Sequence, residues 1–400
     1  MIDINDYAYC LPEDKIARFP QTERDSSKLL VYRNNSIMTD VFSNIFEYFE
    51  EGDMAVYNNT RVISARIEMT KETGACIEIF CLEPYMPDDY QLSFAQQHNC
   101  QWKCMIGNLR RWKSGFLKKR VICNGEEVEL RAEKTDDNSR IQVVRFSWDK
   151  EIDFGAVLDV CGSMPVPPYL KRKAEEIDQT CYQTVFSKNK GSVAAPTAGL
   201  HFTPQLLKKL ENKGIKQNEI TLHVGTGTFR PIHNINVYDH DMHVEYFFVS
   251  AEVIRNIVSN KGILTAVGTT TLRTLESLYW MGVKMLYESL PLNNLHLGQW
   301  EYNFLPQDVT MEQSLGKLCE ALESQKQEML YGSTKIMIVP GYRFRICSRL
   351  ITNFHQPKST LLLLVSAFTG NGWKEIYDYA LSHDYRFLSY GDGSLLELSE

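Results

Sequence analysis

The 400-residue sequence lacks the signals that mark secreted, disulfide-rich or membrane proteins. Its ten cysteines include no Cys-x-x-Cys pair, which argues against zinc ribbons and disulfide scaffolds and favours reduced thiols. The longest apolar run, residues 361–368, is far shorter than the ~18 residues that span a bilayer. The N-terminus is acidic and has no apolar segment of the kind found in signal peptides. We therefore expect a cytoplasmic protein with no membrane segment.

The sequence also lacks several motifs of common enzyme classes. There is no P-loop and no Gly-x-Ser-x-Gly elbow, so phosphoryl transfer and serine-hydrolase chemistry are disfavoured. His240-x-x-His243 with Glu245 does not form a recognised ligand set, and we expect no metal. The formal net charge of −7 means that any contact with nucleic acid must come from local basic patches.

Hydrophobic spacing predicts a mixed α/β fold at both ends of the chain. Short apolar runs at Ser27–Arg33 and Asp53–Tyr57 indicate strands, and Val41–Phe49 has helical spacing. In the second part, a helix is predicted over Pro204–Lys213. Another strand is predicted over Lys335–Pro340.

The hydrophobic pattern of the sequence changes between residues 64 and 154. Alternating apolar and polar residues separated by turns predict several short strands without a long helix. We therefore predict an α/β protein whose large mixed α/β domain, formed by residues 1–63 and 155–400, carries an inserted small β-barrel domain at 64–154. A helical elaboration is expected near 284–335, where Thr310 and Gln313 form a predicted capping box.

Residues 191–245 hold five of the nine histidines among many small residues. Glycine lets a backbone approach a ligand closely, and histidine carries protons near neutral pH. The combination favours a small-molecule pocket over turn glycines with satisfied histidines. The glycines that follow the predicted strand at Ile220–Val224 do not form a dinucleotide fingerprint, because Arg230 stands where a third glycine is needed.

Three polar turns follow predicted strands, a position where α/β folds place ligand groups. Asn58 and Arg61 follow the first, and Asn353 and His355 follow another. In the third, Gly268 precedes a helix with Arg273 in its first turns, a geometry that suits an anion such as a carboxylate. Plain turns and capped helices are the alternatives in each case.

A basic run without any acidic residue covers positions 99–124. Basic side chains contact phosphates and aromatic rings stack on exposed bases, so the run is a candidate RNA surface. Arg110, Arg111, Trp112 and Lys113 are its centre, and Lys171 with Arg172 forms a second cluster. The alternative is a solvated hairpin whose tryptophans pack inward.

Long segments of the chain resemble one family. They include YNNTRVISARI at 57–67, AAPTAGLHFT at 194–203 and TLHVGTGTFRPI at 221–232, followed by AVGTTTLRTLES at 266–277 and ITNFHQPKSTLLLLVSAF at 351–368. In this order they are similar to the S-adenosylmethionine:tRNA ribosyltransferase-isomerases of queuosine biosynthesis. The chain departs from the family at Gln356, where leucine is usual, and at Gly393-Ser394, where Ala-Met is usual.

The resemblance implies a reaction. The enzyme would transfer and isomerise the ribosyl group of S-adenosylmethionine onto 7-aminomethyl-7-deazaguanine at the tRNA wobble position, giving epoxyqueuosine-tRNA, adenine and methionine. S-adenosylmethionine would be a consumed co-substrate, with no further cofactor. The partners would be that tRNA and S-adenosylmethionine, and the protein would be a monomer.

The resemblance also implies site residues, named here by their positions in this sequence. The candidates for proton transfer are His201, His223, His243 and Glu245, without individual roles. The candidates for substrate binding are Asn58, Arg61, Thr197, Gly199, Gly225, Thr228, Thr269, Arg273, Asn353, His355 and Asp392.

Two alternatives stay open at this stage. The departures at Gln356 and Gly393-Ser394 are compatible with a catalytic paralogue that uses a different acceptor. They are also compatible with an RNA-binding protein that keeps the fold without catalysis.

Overall fold

The computed structural model describes residues 2–71, 73–135, 141–225, 232, 234–288 and 290–399. The chain divides into two compact units. The larger unit comprises 1–59, 184–187 and 196–400, and the smaller unit comprises 60–183 and 188–195. The smaller unit therefore includes residues on both sides of the predicted 64–154 range.

The larger unit contains a ten-stranded mixed sheet among the described residues. In spatial order its strands are β15 (Leu295–Leu297), β16 (Met329–Thr334), β13 (Glu245–Ser250), β12 (Lys216–Leu222), β3 (Met54–Asn58), β14 (Leu264–Val267), β17 (Arg349–Asn353), β18 (Gly393–Glu397), β1 (Lys28–Arg33) and β2 (Ser36–Val41). Strands β12, β3, β14 and β17 are parallel neighbours. Strand β13 runs antiparallel to β12.

Helices accompany this sheet. They are α4 (Pro204–Asn212), α5 (Ala251–Ser259), α6 (Thr269–Tyr287), α7 (Met311–Ser324), α8 (Thr360–Thr369) and α9 (Gly372–Ser382). Thr203 caps α4, and the predicted capping box of Thr310 and Gln313 is present at the start of α7. Helix α6 is almost wholly buried along its length, so it is a central element of the core.

The smaller unit contains a closed six-stranded barrel. Its strands, in order around the barrel, are β10 (Gln142–Trp148), β7 (Asn99–Ile106), β6 (Cys76–Met86), β5 (Arg66–Thr70), β8 (Phe116–Cys123) and β9 (Glu126–Lys134). The unit also has α1 (Tyr90–Phe94), α2 (Phe154–Cys161), α3 (Glu176–Cys181) and the pair β4 (Thr60–Val62) and β11 (Asn189–Ser192). The predicted fold class, a large mixed α/β part with a small barrel, is confirmed.

Two local predictions need correction. Val41–Phe49 forms a 3-10 helix over Phe42–Tyr48, with Phe42 and Ile45 buried. The strand predicted over Lys335–Pro340 is wrong, because the ladder of β16 ends at Thr334. The backbone N–H groups of Lys335 and Met337 instead donate to carbonyls of residues 297 and 299, which satisfies an extended segment without a strand partner.

Candidate functional site

The carboxyl edge of the parallel strands gathers most of the predicted polar residues of the larger unit. Asn58 ends β3, Asn353 ends β17, and Gly268 follows β14. His223 follows β12, and Glu245 begins the antiparallel strand β13 at the same edge, where the His223 N–H donates to the Tyr246 carbonyl. Residues far apart in sequence meet here because parallel strands end side by side. This edge is the candidate site.

Side-chain hydrogen bonds link Thr197, Asn353 and His201. The Thr197 hydroxyl donates to Asn353 Oδ1 over 2.8 Å, and Asn353 Nδ2 lies 3.0 Å from His201 Nε2. His201 Nδ1 lies 2.8 Å from the Ser27 hydroxyl. Since the Asn353 amide nitrogen donates to Nε2, the ring proton lies on Nδ1 and points to Ser27. Both ring nitrogens of His201 thus have protein partners.

The surroundings of His201 keep its imidazole neutral. Burial, and secondarily the positive charge of Arg386, lowers the pKa of His201 to about 4. Its ring stacks on Phe42 with centroids 4.6 Å apart. A neutral imidazole can accept a proton, but in His201 this requires release of the bond from Asn353. Sequence patterns had given no signal for Ser27 or Phe42 as partners of this ring.

Asp392 supports the same network through its backbone and side chain. Its carboxylate accepts from the Lys28 N–H over 3.0 Å and the Arg386 N–H over 2.7 Å, while its carbonyl accepts from Asn353 over 3.4 Å. Burial raises the pKa of the Asp392 carboxyl. The residue therefore holds the turn before β18 against β1 and places its carbonyl next to Asn353.

A buried ion pair forms the second part of the site. Arg273 Nη1 lies 2.7 Å from Glu245 Oε2, and both side chains are 5% exposed. Arg273 Nε donates to the Ile336 carbonyl over 3.2 Å. Its Nη2 atom is buried and has no hydrogen-bond partner in the described part of the chain. Thr269, one helical turn earlier on α6, is also buried.

Asn58 and His355 have structural partners. Asn58 bonds with the backbone of Leu222 through both amide atoms, at 3.0 and 3.1 Å, which joins β3 to the end of β12. His355 Nε2 lies 2.9 Å from the Thr352 hydroxyl, and burial lowers the pKa of His355 to about 3. Substrate contacts of Asn58 and His355 stay predictions.

The remaining candidates differ in accessibility. His223 and Gly225 are partly exposed, and His243 is exposed. Gly199 is buried, and a Cβ atom there would lie 2.6 Å from Phe186 Cζ, so its lack of a side chain serves packing. Arg61 is an exposed residue of β4 in the smaller unit. Thr228 lies outside the described residues.

The candidate RNA residues of the smaller unit separate into two groups. Arg110, Arg111 and Lys113 are exposed. Trp112 is fully buried in the barrel core, and its ring N–H donates to the Gly115 carbonyl over 3.0 Å. Its ring is therefore not available to stack on a base, contrary to our expectation, because it packs in the barrel core.

In the second basic cluster, Lys171 and Arg172, only one of the two charges is exposed. Both terminal nitrogens of Arg172 donate to the carboxylate of Asp178, at 2.7 and 2.8 Å, and Asp178 is fully buried. This charge is neutralised within the protein, so we no longer assign Arg172 to phosphate binding. Lys171 is exposed, in a left-handed conformation that ends a short 3-10 helix.

The described residues contain neither a metal-binding cluster nor a membrane-spanning helix. In that part of the chain, no group of three or more His, Cys, Asp or Glu side chains is placed to hold a metal ion. None of its helices combines the length and the apolar character needed to cross a membrane.

Comparison with known proteins identifies the family. Residues 4–396 match the family described as "Queuosine biosynthesis protein". The chain is 38% identical to an S-adenosylmethionine:tRNA ribosyltransferase-isomerase of Halothermothrix orenii and 35% identical to that of Trichlorobacter lovleyi. Each alignment covers 98% of this chain and 99% of the relative.

A solved structure is also similar in sequence. It is the crystal structure of an S-adenosylmethionine tRNA ribosyltransferase from Thermotoga maritima, 27% identical over 98% of this chain and 99% of that chain, with a TM-score of 0.46. The family match and the relatives of at least 35% identity confirm the resemblance that the sequence segments indicated. The chain belongs to the queuosine biosynthesis protein family and is an enzyme of that family.

Proposed function

We propose that the protein transfers and isomerises the ribosyl group of S-adenosylmethionine onto 7-aminomethyl-7-deazaguanine at the wobble position of tRNA. The products are epoxyqueuosine-tRNA, adenine and methionine. One observation supports the proposal: in this member of the family, the carboxyl edge of the large sheet holds two buried polar groups. These are the hydrogen-bonded residues Thr197, Asn353 and His201, and the ion pair of Glu245 and Arg273. S-adenosylmethionine is consumed, and no other cofactor is needed.

The chemistry uses proton transfer rather than a metal. The positive sulfonium acidifies the adjacent 5′ carbon of the ribose, and a neutral imidazole removes that proton. Adenine then leaves as the ribose ring opens, and an acid protonates it. His201 is neutral at physiological pH but has both nitrogens engaged. The solvent-exposed imidazole of His243 is therefore the better proton carrier, and His201 is better suited to ordering the network.

The departures from the family at Gly393-Ser394 and at Gln356 lie where the backbone is packed against neighbouring residues. A Cβ atom on Gly393 would approach Phe42 Cδ2 to 2.9 Å, and the Ser394 hydroxyl donates to the Thr352 carbonyl over 3.0 Å. Gln356 accepts the Ser359 hydroxyl through its carbonyl. These contacts explain Gly393 and Ser394 by packing around Phe42 and β17, and give no reason to propose a different acceptor.

tRNA binding in this proposal uses the exposed basic residues of the smaller unit. An anticodon loop presents unstacked bases, so little duplex has to be opened and few phosphate contacts suffice. Arg110, Arg111 and Lys113 are the side chains that supply them. The protein acts as a cytoplasmic monomer, a location that fits its ten free cysteines.

One experiment tests the reaction. Purified protein is incubated with S-adenosylmethionine labelled in the adenine and ribose, with an anticodon stem-loop that carries 7-aminomethyl-7-deazaguanine. We expect release of labelled adenine and transfer of labelled ribose to the RNA. The control is the same stem-loop with guanine at the wobble position. Adenine release that does not depend on the modified base would rule out the proposed acceptor.

A further inference from the structure

The buried pair Glu245–Arg273 lies beside the first turn of α6, at the edge where β14 ends. We propose that this pair binds the amino-acid head group of S-adenosylmethionine, with Arg273 holding its α-carboxylate and Glu245 its α-ammonium. The inference rests on the proposed function, which supplies the substrate, and it gives Glu245 a binding role instead of the proton-transfer role considered from the sequence.

Arg273 offers one half of a binding site for a carboxylate. Its Nη1 contacts Glu245 and its Nε contacts the Ile336 carbonyl, but the buried Nη2 has no partner among the described residues. A buried donor without a partner costs free energy, which a ligand can recover. The nitrogens of an arginine form a planar fork that matches a carboxylate. The Nη2 side of Arg273 is therefore suited to the carboxylate of a ligand.

The N-terminus of α6 adds to the same site. Gly268 stands at the N-cap with φ 94°, and none of the described side chains caps the helix. Thr269 and Arg273 are four residues apart on α6 and so share one face, and helical side chains lean toward the N-terminus. The Arg273 side chain therefore leans toward the turn whose N–H groups carry the positive end of the helix dipole. An anion placed here receives both contributions.

Glu245 offers the other half, a site for a cation. A carboxylate has about four lone-pair positions, so it can accept from an ammonium while it stays in contact with Arg273. The two side chains are 2.7 Å apart and carry opposite charges, which matches an α-amino acid, whose ammonium and carboxylate are joined through one carbon. A molecule with only one of these charges would leave the second side chain without a ligand partner.

Another buried arginine of the same sheet shows the difference between a structural pair and this one. Arg349, at the amino end of β17, uses Nη1 for Asp53 at 3.1 Å and Nη2 for Glu397 at 3.3 Å. Both ends of its fork hold carboxylates of the protein. Among the described residues, Arg273 has a carboxylate at one end of its fork only. We infer that the second carboxylate comes from the substrate.

The test compares two unreactive ligands by calorimetry. S-adenosylhomocysteine carries the amino-acid head group, and 5′-methylthioadenosine lacks it. Two charge-assisted contacts predict that the wild type binds S-adenosylhomocysteine about 100-fold more tightly. In Arg273→Lys and Glu245→Gln this ratio should fall to about tenfold or less, while the affinity for 5′-methylthioadenosine stays unchanged. Arg255→Lys, a change at a half-exposed position of α5, is the control and should keep the wild-type ratio.

The outcomes separate this inference from the proposed reaction. If the wild type releases adenine but both variants keep the wild-type ligand ratio, the head-group site is wrong and the reaction stands. If the wild type binds S-adenosylhomocysteine yet releases no adenine with the modified RNA, the reaction is wrong. Should either variant fail to fold, wild-type affinities for decarboxylated and deaminated S-adenosylhomocysteine decide. Each should be about tenfold weaker than the parent, and equal affinity would overturn the inference.

Discussion

The basic run of the barrel and the carboxyl edge of the large sheet differ in which side chains they bury. Along residues 99–124 the fold turns the aromatic Trp112 inward and leaves the neighbouring charges of Arg110, Arg111 and Lys113 exposed. At the sheet edge it buries the polar groups themselves and bonds them to one another. A charged surface needs only local alternation, whereas a buried polar site needs partners from distant parts of the chain.

The largest effect should come from the buried side of the barrel. Trp112→Ala should lower the free energy of unfolding by about 3–5 kcal/mol, because a fully buried indole is replaced by a cavity. Urea unfolding monitored by circular dichroism measures the change, with Arg110→Ala as the exposed control. A loss below about 1 kcal/mol would contradict the inward packing and restore Trp112 as a candidate for stacking on RNA.

The next effect tests the buried network of the sheet edge. Asn353→Leu should lower kcat/KM for adenine release about 100-fold, because it leaves His201 Nε2 and the Thr197 hydroxyl without their partner. Asn303→Leu, at an exposed position, is the control. Activity within about threefold of the wild type would show that the network is only structural.

A pH dependence follows from the neutral His201. Its folded pKa of about 4 is below the unfolded value of 6.5, so the unfolded chain binds a proton that the folded state does not. Stability is therefore lost as pH falls from about 6.5 toward 4. Between pH 7 and pH 5 we expect His201 to account for about 2 kcal/mol of that loss.

Unfolding titrations at the two pH values check this contribution. His201→Gln should reduce the pH-dependent loss by about that amount, and the exposed His383→Gln should leave it unchanged. His355 also has a lowered pKa and adds a loss of the same sign, so both variants retain part of the effect. Identical slopes for wild type and His201→Gln would mean that His201 is not held neutral.

The smallest effect concerns the exposed charges of the barrel. Changing Arg110, Arg111 and Lys113 together to Ala should weaken tRNA binding roughly tenfold and lower the salt slope by about 2–3. Filter binding between low and physiological salt measures both. Binding of S-adenosylhomocysteine should not change. A wild-type affinity and slope would leave this basic run as a solvated surface without a role in tRNA recognition.

The predicted strands of the barrel, which depended on local spacing, were confirmed, whereas predictions that depended on a buried partner from elsewhere in the chain were not. Alternation in residues 64–154 predicted strands that close a barrel, since which face of a strand is buried is a local property. The same rule could not say whether Trp112 faces the core, because it lies just before β8 in a short turn. Arg172 resembled a phosphate ligand until the fold placed buried Asp178 against it.

The sequence by itself determined the family, the mixed α/β class with a small barrel, and the absence of P-loop and serine-hydrolase motifs, because these depend on ordered segments and local periodicity. Only the tertiary structure decided that Ser27 bonds His201 and that Asp392 meets Asn353 through its carbonyl. It also decided that one buried nitrogen of Arg273, beside Glu245, has no hydrogen-bond partner among the described residues. The reason is physical. Parallel strands separated by hundreds of residues end at one edge, and burial there makes each polar group depend on partners that sequence spacing does not reveal.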